Sequence, residues 1–317
     1  MTVVVSTGDP AGVSPRLIGP LLDVQDRPGL VFVGPPEVHD QYAPEVTVVK
    51  PDDVDAGIDG WITSGSITPS RITSGSPNAQ TGEVAFRSFK KAHTVTRKQK
   101  KSHLLTLPLS KKWVQEAGYG DFRGHTEYLE RKVPGNIVMT FWGKDLNVAL
   151  QTRHIPLDSV SGEIDTQSLL ETVRCIDRHF REYEGYVPSI ALLGVNPHAG
   201  ESGSLGEEEQ TVVKPAVERL NEEGVDVDGP FPADGFLPVA GDDYNMVLAM
   251  YHDQGLAPFK LNHFYTGIHA TLGLDFLRAS PVHGTAFDRV SGGEIDTTSA
   301  TNALEWIINR TSYNTDG

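Results

Sequence analysis

Residues 246–260 read MVLAMYHDQGLAPFK: an apolar run and a tyrosine, cut off by His252-Asp253-Gln254-Gly255. A short continuous apolar run closed by a polar, glycine-containing turn predicts a strand buried on both faces of a sheet, here over 246–251. The same pattern recurs at 3–6, 30–33, 104–107 and 190–195. Helical spacing follows several of these runs, at 15–22, 111–117, 206–220 and 298–308. Strand followed by helix, repeated, predicts an α/β fold with a largely parallel sheet. Segments 136–142 and 146–152, parted by Gly143-Lys144-Asp145, predict instead an antiparallel hairpin. Residues 51–77, rich in Ser, Thr, Gly and Asp, carry no clear period.

Lys and Arg number 27 against 42 Asp and Glu, a net charge of −15, which argues against a nucleic-acid surface built on clustered cations. The one basic run, RKQKK at 97–101, reads as a solvated helix end or a phosphate-binding patch. The acidic excess is dispersed through GEEEQ, PDDVD and NEEGVDVD and forms no tail; a surface this negative suits a halophilic source. No apolar stretch is long enough for a membrane span, and MTVVVSTGDP lacks the basic start and apolar core of a secretory signal. The expectation is a cytoplasmic protein with no membrane partner. Cys175 is the single cysteine, so a disulfide framework and a Cys-based zinc site are excluded and a metal must use His, Asp or Glu.

In open α/β sheets ligands gather at the carboxyl ends of strands. The unusual loops stand there: S-T-G-D-P-A-G at 6–12, N-P-H-A-G-E-S-G at 196–203 and Y-H-D-Q-G at 251–255. Of eleven histidines, His154, His198 and His252 have strand-end settings, and three imidazoles can form the protein side of an open divalent-metal site. Taken singly, each also suits an ordinary hydrogen-bonded histidine. His39 makes the contrast: Asp40 and Gln41 follow it too, but its setting is helical and it receives no role. Gly8 to Gly12 reads as an anion cradle at a helix start or as a simple tight turn, without the Walker or G-x-G-x-x-G spacing. Thr126 reads as a substrate contact or as the N-cap of a helix starting at Glu127. In His283-Gly284-Thr285-Ala286-Phe287-Asp288, small residues admit a flat ring and an acid can accept from ribose hydroxyls. Lys260 and Arg278 flank these loops as a point charge and a bidentate fork for phosphate or carboxylate.

From T-G-D-P-A-G through G-H-T-E-Y, T-R-H-I-P-L, N-P-H-A-G-E, G-P-F-P-A-D, M-Y-H-D-Q-G and T-L-G-L-D-F-L-R-A-S to H-G-T-A-F-D, the chain resembles the 4-hydroxythreonine-4-phosphate dehydrogenase family of vitamin B6 biosynthesis. The resemblance runs in order along nearly the whole chain. It implies a two-lobed fold like the isocitrate and isopropylmalate dehydrogenases, with lobes near 1–124 plus 270–317 and near 125–269. It implies a cleft active site completed by a homodimer partner. By the same resemblance His154, His198 and His252 are metal ligands shared between subunits, and His125, Thr126, Lys260 and Arg278 contact substrate. Asp234 and Asp253 match active-site acids, Lys111 matches a lysine that follows a strand, and these three are the catalytic candidates. His283, Gly284, Thr285, Ala286 and Asp288 fall on the part that holds NAD; Asp288 facing a ribose would repel the extra phosphate of NADP.

Three departures bear on the substrate. His269, in G-I-H-A-T-L-G-L, stands where the family usually has Asn; Thr106-Leu107-Pro108 replaces T-A/G-P; and R-V-S-G-G follows H-G-T-A-F-D in place of Ala-Gly. The expected reaction is NAD- and metal-dependent oxidation of 4-phosphohydroxy-L-threonine to a β-keto acid that decarboxylates to 3-amino-2-oxopropyl phosphate. Zinc suits three imidazoles best, with cobalt, nickel, manganese and magnesium open. The rival substrate is 4-phospho-D-threonate or 4-phospho-D-erythronate. Rivals of another class are a metal-dependent phosphohydrolase, releasing phosphate without reducing NAD, and a ligand sensor without turnover.

Overall fold

The computed structural model describes residues 1–54, 57–290, 292 and 294–311; Asp55, and Ser291 and Gly293 of R-V-S-G-G, lie outside them. The described strands are β1 (Thr2–Ser6), β2 (Gly29–Gly34), β3 (Gly60–Thr63), β4 (Ser102–Thr106), β5 (Val138–Trp142), β6 (Asn147–Leu150), β7 (Ile190–Leu193), β8 (Val227–Phe231), β9 (Met246–Ala249), β10 (Ile268–Leu272) and β11 (Arg278–Pro281). Among the described residues the chain divides into two compact units: Met1–Lys132 with 275–311, and the intervening Val133–Leu274.

In the first unit the strand order is β3-β2-β1-β4-β11, all parallel. The central strands are apolar without alternation because helices cover both faces; Val3, Val4, Val5, Leu104 and Leu105 have no exposed surface. The Ala79–Lys98 helix, which the sequence reading caught only at its basic end, begins with a capping box: Asn78 Oδ1 accepts from the Gln80 and Thr81 amides, and the Thr81 hydroxyl oxygen accepts from the Asn78 amide. Gly82 lets this helix meet the Lys111–Glu116 helix, since a Cβ there would lie 2.3 Å from Trp113 backbone.

In the second unit the order is β10-β5-β6-β9-β7-β8. The expected hairpin is present as antiparallel β5 and β6, β10 pairs antiparallel with β5, and β6, β9, β7 and β8 run parallel. The strand expected over 246–251 ends at Ala249, and His252 opens a helix, His252–His263. Y-H-D-Q-G is therefore a strand-to-helix turn and the first helical turn, and not a loop. Its glycine has a packing reason: a Cβ on Gly255 would stand 2.5 Å from Val148 and 2.9 Å from Ala249, so the helix can lie directly on β6 and β9. The helix expected over 206–220 starts at Glu209 with one wide turn, Glu209–Val213, and continues as Lys214–Glu222.

Candidate active site

Within the second unit, His154, His252 and His198 leave the carboxyl ends of β6, β9 and β7, three adjacent parallel strands. Thr152 bonds to the Met250 carbonyl through its amide (3.2 Å) and its hydroxyl (2.6 Å), which ties the His154 segment to the His252 segment. Gln254 accepts from the Met250 amide and donates to the Gly194 carbonyl, both at 2.7 Å, joining the ends of β9 and β7. His154 and His252 stand with ring centroids 5.6 Å apart in a cavity of about 390 Å³ that Arg153, Tyr251 and Asp253 also line. His252 Nδ1 is held by Asp253 Oδ1 at 2.7 Å, which leaves Nε2 as the nitrogen for a ligand. A carboxylate behind an imidazole is the usual support for a metal-binding histidine. Asp253, expected as a catalytic acid, thus has an orienting position.

His198 does not join the pair: among the described residues no three His, Cys, Asp or Glu side chains gather closely enough to hold an ion. It lies on an exposed turn, Pro197–Gly203, where five successive residues have left-handed φ: His198 53°, Ala199 49°, Gly200 75°, Glu201 43° and Ser202 59°. Four of them are not glycine, and each costs roughly 1–2 kcal/mol in this conformation. Such strain persists only where surrounding contacts enforce it. Asp234 is exposed in the first turn of the Ala233–Ala240 helix and does not line the cavity of His154 and His252. Lys260 lies eight residues beyond His252 in the same helix, roughly 12 Å along its axis. His269, paired with Phe141 across β10 and β5, stacks on that ring at 5.0 Å and 18°.

A second group forms in the first unit. Arg278, at the start of β11, is 1% exposed and donates to Thr106 Oγ1 on β4 at 2.6 Å. Burial pushes its guanidinium down to about 9, opposed by Glu127, so it remains charged at neutral pH. His125 is held neutral: burial first, then the charges of Arg278 and Lys111, keep its pKa well below the ordinary value, and its buried Nε2 has no hydrogen-bonding partner among the described residues. Lys111 passes Gly124, where a Cβ would come 3.1 Å from its Cε; at φ 151° that position favours glycine. Thr126 is buried in the second position of the His125–Glu130 helix; Gly124 is the N-cap, which sets aside the reading of Thr126 as cap. A buried guanidinium, a lysine, a neutral imidazole and a hydroxyl make a donor set for a phosphate or carboxylate.

The T-G-D-P-A-G turn is filled by the chain itself. A Cβ on Gly8 would meet the Pro108 carbonyl at 2.4 Å, one on Gly12 the Thr285 carbonyl at 2.7 Å, and the Val13 amide donates to Thr285 at 3.0 Å. The anion-cradle reading gives way to a packing turn that supports the H-G-T-A-F-D loop. In that loop Ala286 has φ 45°, His283 Nδ1 lies 3.1 Å from the Gly284 carbonyl, and Asp288 is exposed beside Arg289.

Asp9, in the packing turn, has no exposed surface; burial raises its pKa to about 6 against hydrogen bonds from Ala11 and Thr81. A carboxyl whose pKa is higher folded than unfolded binds its proton more tightly when folded. Its contribution is therefore most favourable below pH 4 and declines between pH 4 and 6, by up to about 3 kcal/mol. Asp9→Asn retains an acceptor for the Ala11 amide and removes this dependence. Melting temperatures measured from pH 4 to 7 are expected to shift in favour of the variant as pH rises; a constant difference would refute the assignment.

The family model described as pyridoxal phosphate biosynthetic protein PdxA matches residues 28–307. The chain belongs to the PdxA family. A 4-hydroxythreonine-4-phosphate dehydrogenase of Sulfurihydrogenibium sp. is 40% identical over 237 residues, 74% of this chain and 73% of the relative. The crystal structure of 4-hydroxythreonine-4-phosphate dehydrogenase from Klebsiella pneumoniae superposes with a TM-score of 0.80 at 33% identity, covering 98% of both chains. Isocitrate dehydrogenase from Methylococcus capsulatus, at TM-score 0.52 and 13% identity over 98% of this chain and 85% of that one, shares the fold. This PdxA-family chain is an oxidoreductase, the class expected from its sequence, and not a phosphohydrolase or a sensor. Among the described residues no helix is long and apolar enough to cross a membrane.

Thr106, Gln254 and Glu209 carry structural roles that the sequence does not assign them. Glu209 was counted in GEEEQ as part of the dispersed acidic surface, yet it is fully buried.

Proposed function

We propose that the chain oxidises the hydroxyl-bearing carbon of 4-phosphohydroxy-L-threonine, using NAD and a divalent ion, and that the resulting β-keto acid loses carbon dioxide to leave 3-amino-2-oxopropyl phosphate. The observation that carries this reading is the buried Arg278 gathered with Lys111, His125 and Thr126, a donor set for a phosphorylated acid in a chain of this family. When bound, the ion lowers the pKa of the substrate hydroxyl, and NAD accepts the hydride. His154 and His252, with His198, supply the nitrogen donors; an all-imidazole set favours zinc. Asp253 keeps His252 in the tautomer that presents Nε2. Arg278 and Lys111 take the anionic end of the substrate, the Thr126 hydroxyl adds a donor, and neutral His125 donates or accepts without repelling a cationic group. Lys260 and His269 complete the substrate contacts, and the hydroxyl proton passes to a carboxylate, Asp234 or Asp253. The H-G-T-A-F-D loop receives the nucleotide. The active form is a homodimer that shares the metal ligands.

One departure favours a second substrate. His269, its ring stacked on Phe141, stands at the usual Asn position, which points to 4-phospho-D-threonate, with a hydroxyl in place of the amino group. Appearance of NADH with each compound, on the species sized by sedimentation and with zinc added or chelated, tests both. Zinc-dependent reduction with the amino acid is the expected result. Turnover of the sugar acid alone would transfer the enzyme to sugar-acid breakdown, and no turnover of either with metal present would overturn the proposal.

A further inference from the structure

We infer that Glu209 is the positioning residue that holds the Pro197–Gly203 turn left-handed and thereby sets where His198 presents its imidazole; this rests on the reading of His198 as a metal ligand. The carboxylate ties down the entry to the turn and packs against Gly200 inside it. Its Oε1 accepts from the Val195 amide at 2.8 Å and the Asn196 amide at 2.7 Å, and its Oε2 accepts from Asn196 Nδ2 at 3.1 Å. The Asn196 carbonyl in turn accepts from the Ala199 amide at 3.2 Å, and the Gly200 carbonyl accepts from the Leu205 amide at 3.1 Å.

The backbone comes so close that side chains are excluded. A Cβ on Gly200 would lie 2.4 Å from Glu209 Oε2, and one on Gly194 would lie 3.1 Å from Oε1. Two successive amides at the entry to the turn thus meet one carboxylate oxygen, and Gly200 inside the turn packs on the other. Here the chain supplies the anion from the wide helical turn Glu209–Val213, fourteen and thirteen residues after the two amides it receives.

The geometry separates positioning from ligation. Glu209 is fully buried while His198 is exposed on the outside of the same turn, so the carboxylate acts on an ion only through the backbone that carries the imidazole. In Glu209→Gln an amide –NH₂ replaces one acceptor oxygen. One of the Asn196 donors then faces a donor, and the left-handed turn loses what holds it. Gly200→Ala attacks the same contact from the other side, placing a methyl against Oε2 and requiring φ 75° of an alanine.

The test is binding of Co²⁺ to the purified full-length chain, followed by calorimetry and by the visible absorption of the coordinated ion, without substrate. His198→Ala, Glu209→Gln, Gly200→Ala and the Glu209→Gln/Gly200→Ala double variant are compared, with melting temperature and circular dichroism recorded for each. Both single variants are expected to weaken Co²⁺ binding roughly 10- to 100-fold, the range for residues that orient a ligand, and to change the absorption bands. The double variant is expected to be no weaker than the worse single one, because both remove the same contact. If Glu209→Gln does not fold, Gly200→Ala alone decides. Wild-type affinity in His198→Ala would remove the ligand reading on which the inference rests. Loss in His198→Ala with wild-type affinity in the folded Glu209 or Gly200 variant would leave His198 a ligand and overturn the role of Glu209.

Discussion

Arg278→Met is expected to raise KM for the phosphorylated substrate and to lower kcat/KM by about 10³-fold, the effect of removing one partner of a desolvated, charge-assisted contact. The guanidinium is held in place by Thr106 Oγ1 and by burial, so it loses little freedom when it takes an anion. Lysine is not a substitute: its single ammonium cannot reproduce the planar fork toward a phosphate while keeping the Thr106 contact, and Arg278→Lys is expected to recover less than a tenth of the activity. Folding should not suffer in parallel. Burial already depresses the Arg278 pKa, which means the charge is retained against a desolvation cost, and a methionine of similar length removes that cost. The melting temperature of Arg278→Met is thus expected to equal or exceed that of the wild type. Steady-state kinetics and thermal melts on the same preparation check both halves, and a KM within threefold of wild type would show that Arg278 does not meet the substrate.

On the metal-dependent reading proposed above, His252→Ala is expected to abolish divalent-ion binding and reduce turnover by more than about 10³-fold, since a bound ion would supply both activation of the hydroxyl and stabilisation of the charge that develops on it. His39 is the control. Both histidines head an H-D-Q triplet, and both have Nδ1 against the following aspartate, at 2.9 Å for His39 and 2.7 Å for His252. The His39 ring is spent inside the fold: Nε2 bonds to the Val46 carbonyl at 2.8 Å and the ring packs on Trp61. The His252 ring instead lines a cavity beside His154. Metal content after dialysis, read alongside turnover, should fall for His252→Ala and remain at wild-type level for His39→Ala. Retention of the ion by His252→Ala would remove the pair from the metal site.

These two triplets show where local sequence stops being informative. Apolar runs predicted β1, β2, β4, β7, β9 and the β5–β6 hairpin, and their alternation with helices predicted parallel pairing, because strand period and turn chemistry are encoded within a few neighbouring residues. The strand β3 was lost in the Ser- and Gly-rich stretch at 51–77, where four residues carry too little pattern. The start of the His252–His263 helix was hidden because Gly255 reads locally as part of a turn, while contact with Val148 and Ala249 makes glycine the residue that fits.

The chain alone determined the α/β class, the family motifs and the histidines, acids and cations available for chemistry. Tertiary structure decided which charges are buried and what faces them: Arg278 against Thr106, His125 kept neutral beside two cations, and Glu209 inside a left-handed turn instead of on the acidic surface. The reason is physical. A side chain's period and conformational preference are set by its own neighbours, whereas its desolvation and its hydrogen-bonding partners are set by segments that only folding brings near.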